Sequence, residues 1–253
     1  MDLMTIFGFL LGGGAVYYTV VEGDILSIIF NRVAFILVFG GTFGSTLITY
    51  PWKIVRDIPK SLMLLFIPPK KDRYAEEIER IMELANIASS MSIDELGTQI
   101  ERIKDPFLKS GINMLLEDVD ESEIYDMLER EIASTSQRHQ RVITAWKSMG
   151  AYSPVFGLLG TLIGIVQILR DIADPATMGA NMAIAITTTF YGIFGANFIF
   201  LPAAGKLEVY SSDEITLKEL QLLGIISIKQ KQIPIIIKRK LDKFLSKKMR
   251  NEE

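Results

Sequence analysis

Hydroxyl side chains are the most informative chemical groups in this sequence of 253 residues, because they lie inside long uncharged segments. Thr161 lies in one such segment, and Thr187, Thr188 and Thr189 follow one another in the next. A threonine in a helix often bonds the carbonyl oxygen four residues earlier. Consecutive helical residues point about 100° apart, however, so three in a row cannot all meet one neighbour. Hydroxyl groups that face each other between helices could line a polar path or bind a cation through oxygen atoms.

Other reactive side chains are scarce. The sequence contains no cysteine, and its single histidine, His139, lies in a polar segment that offers no catalytic or metal-binding partner. The basic residues follow the ends of apolar segments instead of lining an aromatic groove, which argues against nucleic-acid binding. We therefore expect no enzymatic activity, no bound cofactor or metal, and no nucleic-acid partner.

The sequence contains four uncharged segments that are each long enough to cross a membrane, and these hydroxyl groups lie in the last two. A helix needs about 20 apolar residues to cross a hydrocarbon core of ~30 Å. The third and fourth segments are rich in glycine and alanine, which let membrane helices approach closely, so we expect a packed hairpin. The segments are Leu3–Val21, Val33–Trp52, Ser148–Leu169 and Pro175–Gly205.

None of the four segments contains a carboxylate. Ion-coupled membrane proteins usually place an ionisable residue inside the membrane at the coupling point. If Na⁺ or H⁺ crosses the membrane through this protein, the ionisable group must therefore come from another chain.

The distribution of lysine and arginine predicts the orientation in the membrane. Eleven of them lie from Lys206 to Arg250 and six lie from Lys53 to Arg73, whereas the Glu22–Arg32 and Arg170–Asp174 connections contain one arginine each. Positively charged residues remain on the cytoplasmic side. We therefore expect a multi-pass protein of the cytoplasmic membrane whose two termini are both cytoplasmic.

The remaining segments show helical periodicity and no convincing strand pattern. The sequence therefore predicts an all-α membrane protein in four parts. Residues 1–52 contain transmembrane helices 1 and 2, and residues 53–147 form a helical cytoplasmic domain. Residues 148–205 contain transmembrane helices 3 and 4, and residues 206–253 form helices of a cytoplasmic tail.

Local signals predict where the cytoplasmic helices begin. Ser92 and Glu95 match a capping box, and Asp105 precedes a proline suited to a first helical turn. A helix that starts near Glu121 is expected to continue into the third span. The apolar run Leu62–Ile67 is too short to cross a membrane, so it either lies at the membrane surface or packs beneath the cytoplasmic helices.

Several motifs make the sequence similar to a known protein family. The longest runs over Gly150–Gly164, and a second runs over Met182–Gly192 and continues through Phe200–Leu207. Shorter matches lie at Lys104–Gly111 and Arg138–Gln140. These motifs closely resemble the A subunits of flagellar-motor stators, the MotA/PomA family within the MotA/TolQ/ExbB superfamily of ion channels.

The resemblance implies partners and a set of site residues. Several A subunits would form a ring around B subunits, whose membrane helix supplies an aspartate and whose periplasmic part binds peptidoglycan. Ion flow would then turn the flagellar rotor and its switch complex in a bacterial inner membrane. The residues implied for the ion pathway are Pro154, Thr161, Thr188, Thr189, Tyr191 and Pro202.

The transported ion is expected to be Na⁺ rather than H⁺. Sodium requires several oxygen ligands, whereas a proton requires a titratable group and a hydrogen-bonded route. By the resemblance, sodium-type members have threonine at the position of Thr161 and paired threonines before a Tyr-Gly pair, as at Thr188 and Thr189.

One departure from the family concerns the rotor contact. Family members usually have an arginine and, eight residues later, a glutamate at positions that correspond here to Ser89 and Gly97. Either the driven partner differs from a standard rotor or nearby charged residues replace that pair. The replacements that we expect are Asp94, Glu95, Glu101 and Arg102.

Two alternatives remain open at the level of sequence. One is an energiser of another envelope machine, similar to the ExbB and TolQ proteins, although those usually have three spans rather than four. The other is a membrane scaffold that conducts no ions, in which the threonines affect only assembly.

Overall fold

The computed structural model describes residues 3–66, 73–170 and 175–245. The described residues form helices and no strand, and they include four helices long and apolar enough to cross a membrane. The predicted all-α membrane fold is therefore confirmed. The connection predicted at residues 171–174 and the residues 67–72, including Pro68, Pro69, Lys70 and Lys71, lie outside the described residues.

The first half of the chain contains two spans, and a π-helical turn at Ile36–Gly40 interrupts the second of them. π-helical turns are rare and occur frequently at functional sites. The α-helices are α1 (Leu3–Glu22), α2 (Leu26–Ile29), α3 (Arg32–Phe35), α4 (Gly41–Thr49), α5 (Trp52–Val55), α6 (Ile58–Phe66) and α7 (Arg73–Ser90).

The second half contains two much longer helices. A 3₁₀-helix at Asp94–Arg102 precedes them, another at Asp242–Phe244 ends the series, and a π-helical turn at Gly195–Phe200 interrupts the fourth span. The α-helices are α8 (Pro106–Leu116), α9 (Glu121–Arg170), α10 (Pro175–Phe194), α11 (Leu201–Lys229) and α12 (Pro234–Leu241).

The second span ends at Thr49, three residues earlier than the apolar pattern suggested. Tyr50 has extended backbone angles, φ −116° and ψ 137°, and it precedes Pro51. Proline disfavours the helical conformation in the residue before it, so the helix must stop there. Trp52 consequently starts a separate helix, α5.

Contacts divide the chain into two compact units. The first contains Met1–Pro68 and His139–Val209, and the second contains Pro69–Arg138 and Tyr210–Glu253. The exact limits of membrane and cytoplasmic segments, which the sequence placed at residues 52, 147 and 205, remain a prediction.

The second unit has its own hydrophobic core, and α8 lies in it. The side chain of Asp105 caps α8 as predicted, accepting hydrogen bonds from the backbone N–H groups of Phe107 at 3.0 Å and Leu108 at 3.1 Å. Both of these residues are almost completely buried. The fully buried side chains of this core are Ile81, Leu96, Phe107, Leu108, Ile112, Leu115, Ile124, Leu128, Leu220, Ile225, Ile237 and Leu241.

The capping box predicted at Ser92 is wrong. The helix there is a 3₁₀-helix whose N-cap is Ile93, and no side chain caps it. Leu96 is fully buried in the core, with Ile93 and Ile100 packed against the same cluster. Burial of these apolar side chains therefore decides the local geometry and outweighs the capping preference of Ser92.

Two glycines of the second unit provide a matched test of this packing. A Cβ atom on Gly111 would overlap the buried side chain of Ile225, whereas a Cβ atom on Gly97 would lie 4.0 Å from its nearest neighbour. Overpacking of a core usually costs about 1–3 kcal/mol. We expect Gly111→Ala to lower the melting temperature of the detergent-purified protein and Gly97→Ala to leave it unchanged. Equal melting temperatures of the two variants would contradict this packing.

Candidate functional site

The backbones of α9 and α10 touch through two glycines. A Cβ atom on Gly157 would lie 2.9 Å from the carbonyl oxygen of Thr188, and one on Gly192 would lie 2.8 Å from the carbonyl oxygen of Ser153. Gly157 and Gly192 also face each other, since a Cβ atom on Gly192 would lie 3.0 Å from the Cα atom of Gly157. The packed hairpin predicted from the glycine-rich spans is therefore present, and no larger residue fits at these positions without movement of the backbone.

The line of close contact between α9 and α10, here called the glycine seam, continues along α9 at Gly160 and Gly164. The side chain of Thr188 lies against Gly160, and Ala185 lies against Gly164. Small residues on both helices bring polar backbone atoms close to the hydroxyl groups of the opposite helix. This close approach sets the geometry of the candidate site.

The three consecutive threonines of α10 have three different environments. Thr187 donates to the carbonyl oxygen of Ala183 at 2.7 Å and lies 3.1 Å from the carbonyl oxygen of Ile28. Thr188 is completely buried and donates within its own helix to the carbonyl oxygen of Ala185 at 2.8 Å. Thr189 is half-buried and faces α9. The divergence agrees with the 100° turn per residue of the helix.

Thr161 and Thr189 form the centre of the candidate site. Their hydroxyl oxygens lie 2.5 Å apart. The Thr161 hydroxyl also lies 3.2 Å from the carbonyl oxygen of Gly157 and 3.2 Å from that of Ala185. The Thr189 hydroxyl lies 3.5 Å from the same Ala185 oxygen. Two hydroxyl and two carbonyl oxygens therefore converge between the helices, in a cluster that contains no formal charge.

The other residues implied for the ion pathway lie outside this oxygen cluster. The hydroxyl group of Tyr191 donates to the carbonyl oxygen of Ile29 at 2.7 Å. Pro154 lies within α9 beside Gly192, and Pro202 is the exposed second residue of α11. Pro154 has no N–H group to offer the carbonyl four residues earlier, so it locally weakens the helix below Thr161.

Ser153 is a polar residue of the hairpin that sequence reasoning missed. It is completely buried, and its hydroxyl donates to the carbonyl oxygen of Gly192 at 3.0 Å. Its position four residues before Gly157 places it on the small-residue face of α9, and this spacing was the signal available in the sequence.

The residues predicted to contact a rotor lie together in the second unit. Asp94, Glu95, Glu101 and Arg102 are all exposed on the 3₁₀-helix that Leu96 anchors. Within the described residues, none of these four side chains forms an ion pair. Ser89 and Gly97, which replace the charged pair usual in the family, are exposed as well.

Comparison with known proteins agrees with the resemblance of the motifs. Residues 99–220 match the family described as the MotA/TolQ/ExbB proton channel family. Motility protein A of Borreliella burgdorferi is 30% identical over 255 residues, which cover 100% of this chain and 97% of that protein. The chain belongs to the MotA/TolQ/ExbB proton channel family. An uncharacterized family relative, YtxD of Bacillus subtilis, is 31% identical over 97% of this chain and 91% of its own length.

Two solved structures resemble this chain over nearly its whole length. The C. jejuni MotAB structure matches with a TM-score of 0.91 at 26% identity, over 98% of this chain and 97% of that chain. The flagellar MotAB stator complex from Bacillus subtilis matches with a TM-score of 0.90 at 28% identity, over 97% of this chain and 96% of that chain. The four-span arrangement is therefore that of the MotA-type members.

The glycine seam gives a direct prediction for this fold. Because Gly157 and Gly192 contact backbone atoms, Gly157→Ala and Gly192→Ala should force α9 and α10 apart. We expect both variants to show lower melting temperatures and poor recovery from membranes. Gly179→Ala is the matched control in α10, because among the described residues no atom beyond its own stretch of helix lies within 4 Å of the position that its Cβ would occupy. Wild-type behaviour of the Gly157 and Gly192 variants would exclude the close contact.

Proposed function

We propose that this protein is the A subunit of an ion-driven flagellar stator, which conducts cations together with a B subunit and turns the rotor. Relatives named Motility protein A that match over nearly the whole chain support this proposal, as does the similarity to two MotAB structures. The observation on which the proposal chiefly rests is the oxygen cluster between Thr161 and Thr189.

The oxygen cluster suits a cation that has lost part of its hydration shell. In membrane transporters, oxygen atoms of the protein, backbone carbonyls among them, coordinate Na⁺. Thr161, Thr189 and the carbonyl oxygens of Gly157 and Ala185 offer ligands of this kind. Neutral oxygens bind Na⁺, but they cannot take up a proton near neutral pH, so we propose Na⁺ as the transported ion.

A charge to neutralise the cation must come from a partner, because the third and fourth spans contain no carboxylate. We propose that the membrane helix of a B subunit supplies an aspartate and that its periplasmic part binds peptidoglycan. Several copies of this chain would surround that helix as a ring in the bilayer.

The packing of the first unit supports an orientation with both termini on one side of the membrane. Lys206, at the end of the fourth span, donates a hydrogen bond to Thr5, near the start of the first span. Tyr50 and Ser148 join the end of the second span to the start of the third, with 2.7 Å between their hydroxyl oxygens. By the positive-inside rule, we assign this side to the cytoplasm of the bacterial inner membrane.

The ion is tested by removing single hydroxyl groups without changing side-chain volume. Swimming speed should rise with external sodium at fixed pH and membrane potential. Hydrogen bonds to charged groups contribute about 1.5–3 kcal/mol. Thr161→Val and Thr189→Val should therefore raise the sodium concentration for half-maximal speed by about tenfold or more.

Thr46→Val is the matched control for these two variants. Thr46 is equally a membrane threonine, but its hydroxyl donates at 2.8 Å to the carbonyl oxygen of Thr42 in its own helix. Its replacement should leave the sodium dependence unchanged. Speed that is independent of sodium, with both site variants harmless, would indicate a proton-driven subunit. Variants that alter assembly alone would favour the scaffold alternative.

We further propose that the exposed charges of the 3₁₀-helix contact the rotor. Because exposed ion pairs contribute only about 0–1 kcal/mol each, single substitutions should have mild effects. The triple reversal Glu95→Lys, Glu101→Lys and Arg102→Glu should strongly reduce swimming while sodium conduction persists.

A second triple reversal controls for the change in overall charge. Glu123→Lys, Glu129→Lys and Arg130→Glu make the same charge changes on exposed residues of α9. This control should swim normally. Normal swimming of the first variant would discard the proposed contact, and an equal defect in both variants would mean that net charge alone matters.

A further inference from the structure

The segment that follows the second span is held close to the membrane boundary. Only Tyr50 and Pro51 separate the end of α4 at Thr49 from the start of α5 at Trp52. An extended chain spans at most about 3.6 Å per residue, so Trp52 lies within roughly 11 Å of the end of the span. Helix α5 therefore begins near the end of the second span, close to the membrane boundary.

One face of α6 packs into the hydrophobic core of the first unit. Ile58, Ser61 and Leu65 are buried, and their spacing of three and four residues places them on one helical face. The indole N–H of Trp146 donates to the hydroxyl oxygen of Ser61 at 2.8 Å, and Ser61 donates to the carbonyl oxygen of Ile58 at 2.7 Å. This contact joins α6 to α9 and restricts rotation of α6 about its own axis.

Apart from Lys53 and Lys60, the exposed surface of α5 and α6 is apolar, and the described residues leave it uncovered. Trp52 is 72% exposed and Met63 is 67% exposed, with Leu62 and Leu64 also exposed beside them. Helix α6 has nine residues, about 13 Å, and is too short to cross the membrane. An apolar face of this kind at the membrane boundary is typical of helices that lie in the interface.

Basic residues border this apolar surface. The only charged residues from Val33 to Pro69 are Lys53, Arg56, Asp57 and Lys60, three basic and one acidic. The carboxylate of Asp57 lies 3.9 Å from Arg56 and 3.7 Å from Lys60, beyond close hydrogen-bonding distance. The side chains of Arg56 and Lys60 are 57% and 77% exposed, so both cations remain available to an external anion.

We propose that α5 and α6 form a lipid-binding surface that selects anionic phospholipid headgroups in the leaflet where the second span ends. The apolar side chains would enter the acyl boundary, where tryptophan is enriched. Arg56 and Lys60 would bind headgroup phosphates, for which the guanidinium fork and the ammonium group are suited. The inference rests on the membrane fold and on the contacts of α6, and it is independent of the transported ion and of the rotor.

The two tryptophans of the chain make a sensitive test possible. Trp146 is 3% exposed and Trp52 is 72% exposed, so a lipid-borne quencher should reach Trp52 alone. The full chain, in complex with whatever partner copurifies, is placed in nanodiscs that contain brominated phosphatidylglycerol or brominated phosphatidylcholine at equal fractions. We expect brominated phosphatidylglycerol to quench the emission more strongly and Trp52→Phe to remove the quenching.

Variants separate headgroup recognition from simple immersion in lipid. The double variant Arg56→Gln and Lys60→Gln should remain quenched but lose the preference for brominated phosphatidylglycerol. The matched control, Arg239→Gln and Lys243→Gln, changes two exposed basic residues of the second unit and should keep the preference. Equal quenching by both lipids in the wild-type protein would overturn the proposal. Absence of quenching by either lipid would also overturn it and would show that another protein surface covers Trp52.

Discussion

The structure of the membrane unit depends on direct backbone contact between α9 and α10. Lipid offers apolar helices little reason to associate, so their contact must come from close packing and hydrogen bonds. Gly157 and Gly192 permit this contact because each lies within about 3 Å of the opposite backbone, measured from where a Cβ would be. Ser153 adds a buried hydrogen bond to the carbonyl oxygen of Gly192. The distance between Thr161 and Thr189 is a consequence of this approach.

The contact between α9 and α10 also explains why the three consecutive threonines of α10 have different hydrogen-bond partners. Thr188 fills the space beside Gly160 and is satisfied within its own helix, and Thr187 lies against the carbonyl oxygen of Ile28. Thr189 is left to meet Thr161. The resulting cluster offers oxygen ligands without charge, and an uncompensated cation is costly in a membrane. A carboxylate supplied by a partner, as proposed above, would offset this cost.

Local sequence patterns predicted the features that depend on interactions between residues close together in the sequence. The four spans follow from length and hydropathy, and the cap at Asp105 follows from its own side chain and the proline after it. The partner of Thr161 could not be predicted, because the choice between Thr188 and Thr189 depends on the rotation of α10 about its axis. The 3₁₀-helix after Ser92 was missed for a similar reason, since burial of Leu96 is a tertiary effect.

The hydrogen bonds at the base of the hairpin limit how α9 can respond to an ion. Ser148 is bonded to Tyr50, and Trp146 is bonded to Ser61, so α9 is held on two sides just below its membrane segment. Thr161 lies thirteen residues beyond Ser148, and Pro154 lies between them. Helices bend most readily where proline removes a backbone hydrogen bond. If ion binding displaces Thr161, the bending of α9 is therefore expected at Pro154, while the tether at Ser148 keeps the lower part of the helix in place.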